Sequence, residues 1–184
     1  MVYGKGNSRD QSDWTDPCFR TWRNMLKRCY SSEEKYEEYR RQGVSVCDEW
    51  LDFDVFKKWY ARNFYQIENE EMQLDKDILK HGNLTYCPEY CVFVPKSINM
   101  LFVRNKNKRT DLPIGVYKFK DKYRSSCSVF GKNVRKDFKD PISAFEEYKR
   151  VKEKYVKFMA EKYRGKIPEN LYNAMMMFEV KIDD

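Results

Sequence analysis

Two carboxylates flank a lysine in Leu74-Asp75-Lys76-Asp77-Ile78, and the turn Gly82-Asn83 and a distant Asn99 follow. That order and spacing suit a small metal-and-phosphate site. Oxygen donors could hold a hard cation, and Lys76 could neutralise a phosphate while Asp77 acts as base or second ligand. The only histidine, His81, lies five residues beyond Lys76 and could supply a displaced imidazole. Each of these residues also has a plainer reading: Asp75 and Asp77 as a solvated or capping pair, and His81 as a surface-loop histidine.

The elements that must position these residues can be read on either side. Asp16-Pro17 suits a helix start, with an acidic cap and proline in the first turn. Phe19, Trp22, Met25, Leu26 and Cys29 then recur at helical spacing, opposite Arg20, Arg23, Lys27 and Arg28. The charged stretch from Glu33 to Arg41 reads as helical up to Gly43, and Val44-Ser45-Val46-Cys47 alternates like a short strand. Aromatic residues at Phe53, Phe56, Trp59, Tyr60 and Phe64 predict an amphipathic helix over 52–64.

Beyond the polar run Asn105-Lys106-Asn107-Lys108-Arg109-Thr110, read as a linker, the pattern changes to strands. Gly115 to Lys120 and Tyr123 to Phe130 are expected to pair across a turn at Asp121-Lys122. Gly131-Lys132-Asn133 turns into a third strand, Val134 to Phe138. Asp140-Pro141 opens a long helix whose stripe runs through Phe145, Tyr148, Tyr155, Phe158 and Met159, and Pro168 opens a short last helix. Period-two alternation puts Lys118, Lys120 and Lys122 on one face, and Tyr117 and Phe119 on the face expected to meet the helix.

Composition narrows the function classes. With 14 Tyr, 12 Phe and 4 Trp the chain can bury a core despite 35% charged residues, which argues against disorder over most of its 184 residues. No apolar run approaches the ~20 residues that span a bilayer, and the N-terminus shows no signal-like apolar segment. A cytoplasmic protein without a membrane partner is therefore expected. Without an export signal its six cysteines are read as reduced thiols, and a zinc site from Cys87 and Cys91 is weakly supported because no second close pair exists. Residues 104–166 carry 20 Lys/Arg against 8 Asp/Glu, net +12, while residues 1–103 are at −2 and the tail at −3. A basic block of this density attracts polyanions, so DNA or RNA is the expected partner.

With these pieces in place, the chain resembles phage-type proteins that join an HNH-like (His-Me finger) endonuclease module to an Apetala-type DNA-binding module. The first resemblance covers about residues 14–102. It rests on Trp22, Met25, Arg28-Cys29-Tyr30, Tyr39, Gly43-Val44, Val46-Cys47, Trp50, Leu74-Asp75-Lys76-Asp77, Gly82-Asn83, Tyr86, Pro88-Glu89, Cys91 and Asn99. The second covers about 113–182 and rests on Gly115-Val116-Tyr117, Tyr123-Arg124, Gly131-Lys132, Phe138 and Ala144-Phe145. The resemblance implies an α+β fold: a degenerate ββα-metal finger with flanking helices over 1–103, a basic linker over 104–112, and a three-stranded antiparallel sheet packed on a long helix over 113–184.

It further implies that Asp75 and Asn99 ligate Mg²⁺ or Mn²⁺, which would stabilise charge on a scissile phosphate. Where the family's active members carry a histidine base, this chain has Lys76. Where an orienting asparagine precedes the cysteine, it has Tyr90. Tyr117, Lys118, Lys120, Lys122, Arg124, Lys132 and Arg135 are the implied nucleic-acid contacts. The expected function is a metal-dependent phage or mobile-element endonuclease of a bacterial host cell, or a degenerate derivative. The alternatives are a non-catalytic DNA-binding protein and an anti-CRISPR inhibitor acting on a CRISPR effector ribonucleoprotein or its guide RNA.

Overall fold

The computed structural model describes residues 15–103 and 111–182. The first helix, α1 (Pro17–Tyr30), starts where the sequence places it: the Asp16 carboxylate accepts from the Cys18 backbone N–H, with proline in the first turn. Its apolar stripe, Phe19, Trp22, Met25, Leu26 and Cys29, is buried. A short α2 (Glu37–Arg41) ends at Gly43, whose φ of +73° lies in the left-handed region that favours glycine. The strand expected over 44–47 is β1 (Ser45–Val46). A 3-10 turn follows, and then α3 (Phe53–Asn63), capped by Asp52.

Three short strands come next: β2 (Met72–Asp75), β3 (Thr85–Tyr86) and β4 (Val92–Pro95), followed directly by α4 (Lys96–Phe102). β2 and β4 are antiparallel, with Asp75 opposite Val92 and Gln73 opposite Val94. β1 and β3 pair in parallel, Ser45 with Thr85 and Val46 with Tyr86. These strands and α1, α2 and α3 close on one core. Trp50 and Phe56 lie fully inside it, and the Trp22 indole N–H donates to the Trp50 carbonyl at 2.7 Å.

The chain divides into two compact units, Met1–Asn99 and Met100–Asp184. The second holds an antiparallel sheet in sequence order: β5 (Val116–Phe119), β6 (Lys122–Val129) and β7 (Lys132–Phe138). Packed on it is α5 (Pro141–Lys162), whose N-terminus is capped by Asp140 through Ser143, and beyond it α6 (Glu169–Met176). Gly115 precedes β5 at φ +74°, and a Cβ there would stand 2.1 Å from the Tyr148 ring. That glycine is what lets β5 reach the helix. The fold is thus α+β, with six helices and three small sheets among the described residues. No described helix is long and apolar enough to cross a membrane. Most of the expected linker, 104–110, lies outside the described residues.

Candidate functional site

Asp75 ends β2, and its side chain turns back on the chain. One carboxylate oxygen accepts from the backbone N–H groups of Asp77 and Ile78, at 2.9 and 2.8 Å. Burial, and then the nearby Asp77 charge, push its pKa up to about 6. A half-buried carboxylate titrating near neutrality is suited to proton transfer, although the same oxygen already caps the turn.

Lys76 points the other way. It is only 8% exposed, and its ammonium donates to Asp77 Oδ2 and to the Asn83 carbonyl, both at 3.1 Å. The Asn83 side chain returns the tie by donating to the carbonyls of Lys76 and Thr85, both at 2.7 Å. Lys76 and Asn83 therefore clip the two ends of the 77–83 turn together. Lys76 thus lies buried beneath that turn, with its ammonium held by groups of the turn itself. His81 sits on the turn's exposed side.

Asn99, on α4, donates to the Gln73 side-chain oxygen at 2.8 Å. Gln73 lies two residues before Asp75 and so shares its strand face. The structure thus brings Asn99 to the strand that carries Asp75, where its partner is the Gln73 amide. Among the described residues, no group of three or more His, Cys, Asp or Glu side chains is placed to hold a metal ion. The Asn99 bond uses its amide nitrogen and the Asp75 cap uses one carboxylate oxygen, so by themselves these two side chains offer fewer oxygen donors than the roughly six or more a hard cation takes.

In the second unit, pairing fixes the two sheet faces. Val116, Ser125 and Cys127 are buried, so the face they share meets α5. Lys118, opposite Tyr123, lies on that side, as do Lys132 and Lys136 of the edge strand. The outer face carries Tyr117, Phe119, Lys122, Arg124, Ser126, Arg135 and Asp137. This corrects the expected basic face of Lys118, Lys120 and Lys122. The first hairpin turns at Lys120-Asp121, and Lys120 takes φ +56°, so the alternation breaks there. Tyr117 and Phe119, expected against the helix, are each 36% exposed on the outer face.

Arg124 is already engaged. Its guanidinium makes two bonds to Asp137, at 2.5 and 2.7 Å, and lies 3.5 Å from the Phe119 ring centroid. Hydrogen bonding to Asp137 raises the arginine pKa, and hydrogen bonding from Arg124 lowers that of the aspartate. Lys122 and Arg135 flank this pair on the outer face and are exposed.

Sequence reasoning missed Gln73, Asn83 as a clip, and Phe119 with Asp137. Gln73 could have been found from its two-residue offset to Asp75. Phe119 could have been found from its alternation with Tyr117. Comparison of the chain with family models, with curated proteins and with solved structures finds no match.

Proposed function

We propose that this chain is a nucleic-acid-binding protein derived from a nuclease of the HNH–Apetala type, in which the finger holds structure and the second unit makes the contact. The observation that carries the reading is the outer sheet face. Tyr117, Phe119, Lys122 and Arg135 stand exposed there, within a segment of net +12. Lysine and arginine on such a face neutralise phosphates, and Tyr and Phe give flat contact area. Arg124, clamped between Asp137 and Phe119, fixes the face in place.

Two features of the first unit support a structural role for the finger. The Lys76 ammonium faces its own turn, and the Asn99 side chain is held to Gln73 through its amide nitrogen. The antiparallel pair β2–β4 followed by α4 is compatible with a hairpin-and-helix finger, and the polar groups at its end are turned on one another.

A second reading, residual phosphodiester hydrolysis, is favoured by Asp75 alone, whose pKa near neutrality suits a general base. One assay separates the two. Fluorescence anisotropy with duplex DNA, single-stranded DNA and RNA at about 50 to 200 mM salt is run beside gel cleavage in Mg²⁺, Mn²⁺ or EDTA. Binding that falls steeply with salt, without cutting, and that weakens roughly tenfold in Arg135→Glu, is the expected result. Metal-dependent cutting lost in Asp75→Asn would establish the second reading. An absence of binding to any of the three would refute both, and would direct the search to a protein partner such as a CRISPR effector.

A further inference from the structure

The helix side of the second unit carries aromatic rings that its core does not use. Phe130 closes the β6–β7 hairpin and is 59% exposed, and Phe158 on α5 is 52% exposed. Their centroids are 5.5 Å apart at 85°, and Phe130 also meets the Tyr155 ring at 4.9 Å. Phe158 belongs to the stripe that the sequence assigns to the core, yet Val156, Met159 and Ala160 are the residues buried around it. The two Phe rings form an open right-angled notch.

Phe130 occupies that position at a cost. Its φ is +49° and that of Gly131 is +73°, a pair of left-handed residues in a two-residue hairpin turn. Asn or Asp normally takes the first of these places, because a bulky side chain is strained there. The Phe130 backbone N–H donates to the Tyr155 hydroxyl at 3.1 Å, which holds the turn against the helix. A strained, solvent-exposed aromatic residue fixed by a neighbouring ring system directs attention to a ligand.

The charges around the notch select the ligand's chemistry. Lys132 leaves the hairpin, and Lys154 and Lys162 stand one helical turn before and after Phe158; all three are exposed. None of them is in an ion pair among the described residues. Glu161, the carboxylate nearest on the helix, is already engaged by the Tyr172 hydroxyl at 2.5 Å and by Arg164 at 3.6 Å. Exposed rings bordered by ammonium groups outside any ion pair, of which Lys162 also lies over the Tyr163 ring at 5.8 Å, match the two parts of an unpaired nucleotide: a flat base to stack and a phosphate to neutralise.

We infer that Phe130, Tyr155 and Phe158, with Lys132, Lys154 and Lys162, form a second contact that takes unpaired bases of a single strand. It is separate from the outer sheet face, and it rests on the reading of the chain as a nucleic-acid-binding protein. A protein with both contacts would suit a junction or bubble, where duplex and free strand meet.

The test compares a fluorescein-labelled oligothymidylate of about 15 nucleotides with an abasic strand of equal length and with a blunt-ended duplex. The variants are Phe130→Asn, Phe158→Ala and Phe158→Trp. Asparagine suits the left-handed turn, so Phe130→Asn should keep or raise Tm while removing the ring. Phe130→Asn and Phe158→Ala are each expected to weaken oligothymidylate roughly tenfold, and Phe158→Trp to retain it. Duplex affinity should change by less than about twofold, and the wild type should hold the abasic strand no better than the variants do. Equal wild-type affinity for abasic and thymidylate strands, or variants indistinguishable from wild type, would overturn the inference. Polyglutamate bound with the same Phe dependence would also overturn it, in favour of an acidic peptide. Duplex binding without single-strand binding would remove this contact and leave the earlier reading standing, and binding of neither would remove both.

Discussion

Replacing Lys76 by methionine keeps most of the stem's volume and deletes the ammonium. Two bonds go with it, those to the Asn83 carbonyl and to Asp77, each 3.1 Å long. The Asn83 carbonyl is part-buried, and leaving it without a donor costs about 1–2 kcal/mol. The Asp77 side chain is 46% exposed, so solvent screening holds the ion pair to about 0.5 kcal/mol. The expected loss is about 2 kcal/mol, or roughly 8–15 °C in Tm if the first unit unfolds alone. Asp77→Asn should cost no more than about 0.5 kcal/mol, and the double variant should match Lys76→Met, because the larger cost sits on Asn83. Urea and thermal unfolding measure the stability, and oligonucleotide affinity well below Tm should stay within about threefold. A stability loss under about 0.5 kcal/mol with a tenfold loss of binding or turnover would refute the reasoning. Lys76 would then be a phosphate anchor.

Three further outcomes are expected. The raised Asp75 pKa means that the folded state binds this proton more tightly than the unfolded chain does. Its stabilising contribution is complete below about pH 4 and is lost as pH rises through 6. In EDTA, Asp75→Asn should therefore flatten the stability profile between those limits by on the order of 3 kcal/mol, and retention of the wild-type slope would assign it to another group. Gly115→Ala should destabilise the second unit by about 2–4 kcal/mol, since it combines a positive φ with a Cβ inside the Tyr148 ring; circular dichroism melting checks this, and no change in Tm would contradict the geometry. Burial raises Cys18 to about 12 and Cys29 to about 11, and also raises Cys47, Cys87, Cys91 and Cys127. A disulfide-exchange reagent at neutral pH should therefore label the half-exposed Cys47 first and reach all six thiols only in denaturant. Rapid labelling of more than one thiol in the native protein would count against this packing.

What the sequence made legible was local. Asp16-Pro17, Asp52 and Asp140-Pro141 opened helices because a capping carboxylate and a fixed φ act within one turn. The core stripe of α1 followed from spacing alone. The parts that stayed hidden depend on contacts between distant residues or on a single backbone angle. The pairing of β1 with β3 joins residues 40 apart in sequence, and no local pattern announces it. The sheet face was misassigned for two reasons: Val116, not Tyr117 and Phe119, supplies the buried side of β5, and the two-residue turn pairs Phe119 with Lys122, which reverses the alternation from Lys122 onward. At the candidate site, residue types placed Asp75, Lys76 and Asn99 together. They did not disclose that Lys76 would turn inward to Asn83, since that choice rests on the burial of one side chain.

The parallel pair β1–β3 also governs the order in which the first unit can assemble. Val46 and Tyr86 are both buried in its core, and the Tyr30 hydroxyl accepts from the Val46 backbone N–H at 3.1 Å. During synthesis, α1 and α3 therefore emerge with their aromatic faces uncovered and must wait until Thr85–Tyr86 and β4 have left the ribosome. Closure of so long a loop precedes its reward in contacts, so this step should limit the folding rate. The same delay makes the nascent first half, rather than the finished protein, the species exposed to chaperones and to aggregation.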